Sequence, residues 1–295
     1  YLLGEPIGDN LAGTFGWHGV GHILFLTCLA LSLALGLWVA ERRWTTLLLI
    51  LVLGAVSNIL AENKIFPAAA LALAVASIGL YVGQRGQLSR LFVFAILLVA
   101  GVWAFSAGYN ALVPGAEREP LQRLFIEEEA RENYLNKVKR SRTAEQQTYN
   151  LGRHVAIEYA LSTLEGDMVS LGFGLGLGAR SQSGTLGVAG AGLKADKFDR
   201  GSQLVAIVQE MGLFGLLMVL GFTAWISVKL WLDIRRYPES PARALRHGLL
   251  LFSLFWPVWL WYKNPLGADV AMMIYWIGLG YVLSEPHSEN LGDGL

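Results

Sequence analysis

The residues able to do chemistry in this chain are charged groups set at the edges of apolar runs. Lys64 lies in a tight Glu62-Asn63-Lys64 turn between two such runs. Its ammonium reads in two ways: an anchor that reaches to a polar boundary, or a cation facing an anionic group in an outer cavity. Arg200 stands just before a long apolar run, with Glu210 ten residues further on. At the rise of a helix that interval places the carboxylate roughly 15 Å deeper. A carboxylate at that depth needs a cationic partner or a water-filled cavity. Arg153 opens a short apolar face made by Val155, Ala156, Tyr159 and Ala160. The run Gly172-Phe-Gly-Leu-Gly-Leu-Gly178 permits positive φ and close backbone approach, and its N–H groups are suited to cradling phosphate. No Gly-Lys-Ser/Thr follows, so it is not a Walker loop, and a flexible connection is the plainer reading. His18 and His22 have a metal-ligand spacing without a third ligand nearby, so no metal site is expected.

The elements that must hold these groups are set by composition. Hydrophobic residues make up 54% of the 295-residue chain and charged residues 16%, with a mean hydropathy of +0.45. That exceeds what a water-soluble core of this size needs. Twelve of the 23 Lys/Arg and twelve of the 23 Asp/Glu fall between Glu117 and Arg200, so the charge is segregated. A net charge of zero gives no reason to expect nucleic acid as a partner. The single Cys28 excludes an intrachain disulfide.

A bilayer core of about 30 Å takes roughly 20 mainly apolar residues per helix. Seven segments qualify: 20–40, 44–61, 65–83, 90–111, 202–230, 247–262 and 267–284. The turns carrying Arg42 and Arg43, Arg85 and Arg90, and Arg235, Arg236, Arg243 and Arg246 share one parity and are assigned to the cytoplasm. The expected fold is an all-α polytopic transmembrane bundle of about seven spans with one large extracytoplasmic helical and glycine-rich segment. It divides into an outer N-terminal segment (1–19), four spans (20–111), the large outer segment (112–201), three spans (202–284) and a cytoplasmic tail (285–295). Within the outer segment, apolar spacing predicts amphipathic helices over 119–138 and 144–165. Between their apolar faces the cluster Lys137, Lys139, Arg140 and Arg142 and the run Glu127–Glu129 read as solvated charge. Lys263 and Asp269 form an expected ion pair in a short outer turn. An external start at Tyr1 points to upstream helices, or else to direct insertion of a short terminus.

Four features in order resemble the O-antigen ligase/polymerase superfamily of membrane glycan enzymes. They are Gly13-Thr-Phe-Gly16 leading into a helix; Glu62-Asn-Lys64, where many members carry Ser-Arg; Arg153 opening a helix that runs to Gly172-Phe-Gly-Leu-Gly; and Ser202 to Glu210-Met-Gly212-Leu-Phe-Gly215 after the large loop. The last is the most specific, and together they cover most of the chain. The resemblance implies transfer or polymerisation of a polyprenyl-diphosphate-linked glycan at the outer face of a bacterial cytoplasmic membrane. It implies no metal, cofactor or nucleotide sugar. Arg153, Arg200 and Lys64 would then bind the diphosphate, with Arg180 behind them, because guanidinium and ammonium groups stabilise developing phosphate charge. The acceptor hydroxyl needs a base. Ligases of the family carry a His about nine residues before the glutamate, where this chain has Gly201, which leaves Asp199 or Glu210 for that role.

A second reading is a non-catalytic membrane subunit that scaffolds or anchors a complex, with protein partners on the outer segment. A third, a transporter, is opposed by the absence of a convincing inverted repeat and by how few helix-breaking Gly/Pro interruptions fall at mid-span.

Overall fold

The computed structural model describes residues 20–61, 63–85, 88–112, 127–129, 132, 138–143, 146–151, 153–179, 198–199, 202–262 and 269–284. Its helices are α1 (Val20–Glu41), α2 (Trp44–Leu60), α3 (Phe66–Arg85), α4 (Leu88–Leu112), α5 (Arg153–Ser162), α6 (Met168–Phe173), α7 (Gln203–Arg236), α8 (Arg243–Leu254), α9 (Trp256–Tyr262) and α10 (Asp269–Ser284). The helical architecture expected from the sequence is present, and the buried core is carried on helices. Among the described residues two helices are long and apolar enough to cross a membrane, Gly21–Glu41 and Gln203–Arg236. Trp44–Leu60, Phe66–Leu80 and Val270–Ser284 are shorter apolar helices.

The centre of the bundle is α8, buried from Arg246 to Ser253, with α1 lying against it. These two helices approach backbone to backbone. A Cβ on Gly36 would run into the Ala244 carbonyl and Gly248, and one on Gly248 into the Leu33 and Ser32 backbone. Only residues without a side chain allow that spacing, as at small-residue helix crossings. Helices α2, α3, α7 and α10 pack around this pair. Phe25 of α1 meets Trp259 of α9 at 5.9 Å between rings, which sets the start of α1 beside the end of the α8–α9 rod. The arginine-bearing turns after α1 and before α8 therefore lie at one end, and the Asn63–Lys64 turn and Tyr262 at the other.

Several elements differ from the sequence expectation. Among the described residues of the helix expected over 144–165, only Arg153–Ser162 is helical. Ahead of it, strands β1 (Val138–Thr143) and β2 (Gln146–Leu151) form an antiparallel hairpin, and β3 (Phe198–Asp199) joins β2 in parallel. Residues 146–150 are Gln, Gln, Thr, Tyr and Asn, too polar to sustain an apolar helical face, and Thr and Tyr favour strands. The expected 119–138 helix ends in β1 at Val138, and of its remainder only 127–129 and 132 lie among the described residues. The segment 247–262 is two helices broken at Phe255. Pro257 gives the cause: it has no N–H, and its ring would press on the Ser253 carbonyl of a continuous helix. The run after Ser202 continues to Arg236 but is kinked at Gly212, with φ 67° and ψ −166°. Two helical segments of the core are thus interrupted, at Gly212 and at Phe255.

Candidate functional site

Helix α5 carries Arg153 at its start and buries Ala156 and Ala160, followed by Leu164, against Val205 and Val208 of α7. Its first turn docks on the end of α9. The Arg153 guanidinium lies 4.9 Å from the centre of the Tyr262 ring, and the His154 and Trp261 rings are 6.2 Å apart. Further along, the buried Gln209 donates from Nε2 to Thr163 Oγ1 at 3.4 Å, tying α5 to α7 through a polar contact.

Helix α6 follows after Gly166. Asp167 caps it, accepting from the N–H groups of Val169 and Ser170 at 3.1 Å and from the Ser170 hydroxyl at 2.6 Å. The Ser170 hydroxyl first, then the two N–H groups, hold the Asp167 carboxyl below the usual carboxylate range. This short helix delivers the glycine run onto the break in α7. Gly174, Gly176 and Gly178 all have positive φ; the Gly174 N–H closes α6 on the Ser170 carbonyl at 2.7 Å, and the N–H groups that follow turn towards α7. Leu175 N–H donates to the Gln209 carbonyl at 2.8 Å and Gly176 N–H to the Glu210 carbonyl at 3.1 Å. Gly178 N–H donates to the Glu210 carboxylate at 3.3 Å. The two glycine sites interlock: a Cβ on Gly174 would overlap the Glu210 backbone, and one on Gly212 the Gly172 carbonyl.

The glycine run is therefore an ordered clasp rather than a loose connection as far as Ala179. Its N–H groups satisfy carbonyls that the break in α7 leaves without helical partners. Glu210 sits at that break, half-buried, so its depth along one straight helix axis is not defined.

Arg153 and Glu210 are thus brought onto one module. The parallel pairing of β3 sets the backbone of Asp199 beside Asn150, just before Arg153, so Asp199 enters the same region. Lys64 is at the same end of the bundle but held by other elements, with its ammonium 6.0 Å from the Tyr109 ring centre. Arg180, Arg200, His18, Lys263 and the Gly13–Gly16 motif lie outside the described residues, as does the side chain of Asp269. Among the described residues no group of three metal-ligating side chains occurs.

Sequence reasoning overlooked a buried polar chain beneath Lys64. Asn63 Nδ2 donates to Asn58 Oδ1 at 2.9 Å, and Asn58 Nδ2 donates to Thr27 Oγ1 at 2.9 Å and to the Gly54 carbonyl at 2.8 Å. An amide inside an apolar run, Ser57-Asn58, was the available signal. Gln209 and the aromatic pair Trp261–Tyr262 were also missed as partners of α5; their roles depend on contacts distant in the chain. Compared with protein-family models, curated proteins and solved structures, the chain matches none.

Proposed function

We propose that this chain is a multi-span membrane protein that transfers or polymerises a polyprenyl-diphosphate-linked glycan at the outer face of a bacterial cytoplasmic membrane. The membrane part is supported by an inside-out distribution of polarity. Phe214, Leu217, Met218, Phe222, Trp225, Val228 and Leu232 form an exposed apolar stripe along α7. Ser32, Asn58, Ser77, Ser106, Gln209 and Ser253 are buried. Water would favour the reverse, and exposed apolar area on this scale calls for a covering phase. Beyond Gly212, α7 is long enough, at about 36 Å, to cross a hydrocarbon core.

The observation that carries the glycan reading is the clasp: a glycine loop docked on a broken helix, with the Glu210 carboxylate at the join and Arg153 on the adjoining helix. Arg153 and Lys64, together with Arg200 and Arg180, supply cations for the diphosphate leaving group. Glu210 or Asp199 takes the proton as the acceptor hydroxyl attacks the anomeric carbon and the bond to the diphosphate breaks.

The test is a glycan profile from cells in which the gene is replaced by Arg153→Ala, Arg200→Ala or Glu210→Gln. All three proteins insert at normal abundance, and polymer or conjugate falls by roughly two orders of magnitude or more. Unchanged profiles with normal insertion reject the enzyme. They would leave the scaffold reading, which the exposed Met168, Val169, Phe173 and Leu177 around α6 favour as a contact surface.

A further inference from the structure

At the opposite end of the bundle from the clasp is a cavity of about 330 Å³ whose lining includes Leu80, Ile234, Arg235, Arg243, His247 and Leu250. Its size lies in the range of small-molecule sites, which begins at roughly 300 Å³. Three features give it a chemical character. Arg235 stacks on the Trp231 ring at 3.8 Å, so the guanidinium face is occupied and its N–H edge stays in plane for oxygen acceptors. Among the described residues no carboxylate is in the lining, and nearby Asp233 is held by Lys229 at 2.9 Å. His247, one of the lining residues, is 2% exposed, and its Nε2 has no hydrogen-bond partner among the described residues. A buried ring nitrogen in that state is costly unless a ligand engages it.

We propose that this cavity binds the phosphate of an anionic lipid, with Arg235, Arg243 and His247 on the phosphate oxygens and the acyl chain along Leu80, Ile234 and Leu250. The chemistry recognised is a phosphate ester beside apolar surface. The lipid is favoured over a soluble ester because Leu80, Ile234 and Leu250 give the cavity an apolar wall beside the arginines and α3, α7 and α8 all contribute to it. The site rests on the membrane-spanning reading and is independent of glycan chemistry.

The experiment uses the full chain purified in neutral detergent, with dioleoyl-phosphatidylglycerol, dioleoyl-phosphatidylcholine and inorganic phosphate as probes. Bound lipid is read by native mass spectrometry and by the shift in Tm. Phosphatidylglycerol is retained over phosphatidylcholine, raises Tm, and binds about tenfold more weakly to Arg235→Gln or Arg243→Gln. Arg235 is exposed, so its replacement leaves the fold intact, and His247→Gln keeps a donor at the buried position. Equal retention of the two lipids, or retention unchanged by both arginine variants, overturns the proposal. Displacement of phosphatidylglycerol by millimolar inorganic phosphate, with a Tm rise from phosphate alone, overturns the lipid and assigns a soluble phosphate ester. A lost glycan activity with intact lipid retention, or the reverse, separates this site from the clasp.

Discussion

Gly212 combines two constraints that point the same way. Its φ of 67° with ψ of −166° is open to glycine almost alone, and any Cβ there would overlap the Gly172 carbonyl. Gly212→Ala should therefore lose roughly 2–4 kcal/mol, from strain and from separation of the clasp. Gly221→Ala on the same helix meets nothing within 4 Å and should stay within about 1 kcal/mol of the parent. Thermal or denaturant unfolding of the purified protein decides between them; equal losses would show that Gly212 is not a special position. The Glu-x-Gly-x-x-Gly pattern was legible in the sequence, but its partner was not. The interlock joins residues nearly forty positions apart, and local spacing carries no record of that.

Among the elements, the α1–α8 crossing and the broken α8–α9 rod govern the core. Gly36 and Gly248 let the two helices touch through backbone, and α8 is buried from Arg246 to Ser253. Gly248→Ala should cost roughly 1–3 kcal/mol, because the Leu33 backbone cannot move aside as a side-chain tip would. Gly101→Ala, in open space on α4, serves as the neutral comparison in the same unfolding measurement. Helix bounds for α1 to α4 followed closely from apolar run length. The hairpin at 138–151 did not, because single Leu and Val residues in a polar stretch mimic helical spacing. In the structure the two strands pair with one another from Val138–Leu151 to Thr143–Gln146, and β3 adds two parallel pairs on β2.

For the whole molecule, the membrane reading makes a topological prediction. Cys28 is the only cysteine and is fully buried, so it stays silent to water-soluble maleimide in the folded protein. On the proposed reading, Glu165→Cys labels from outside in intact cells, whereas Glu239→Cys labels only after the membrane is opened. Both residues are exposed and lie at opposite ends of the bundle. Labelling of both positions from one side would reject a membrane-crossing arrangement with the clasp outside. Leu217→Cys, on the exposed α7 stripe, should resist the same reagent until detergent is added, because lipid rather than water covers it.

The sequence by itself determined that long apolar helices dominate this chain and that its charges gather in one segment. Run length and residue type report those features directly. It also marked Arg153, Glu210 and the glycine run as unusual, since charge and glycine in such settings are costly without a reason. Only the tertiary structure decided that the glycine run closes over a break in α7, that Asn58 and Asn63 satisfy one another, and that a cavity forms among arginines on separate helices. Each of those depends on groups distant in the chain meeting across a packed interior, where a missing Cβ or an unmatched donor acquires its meaning from the opposite surface.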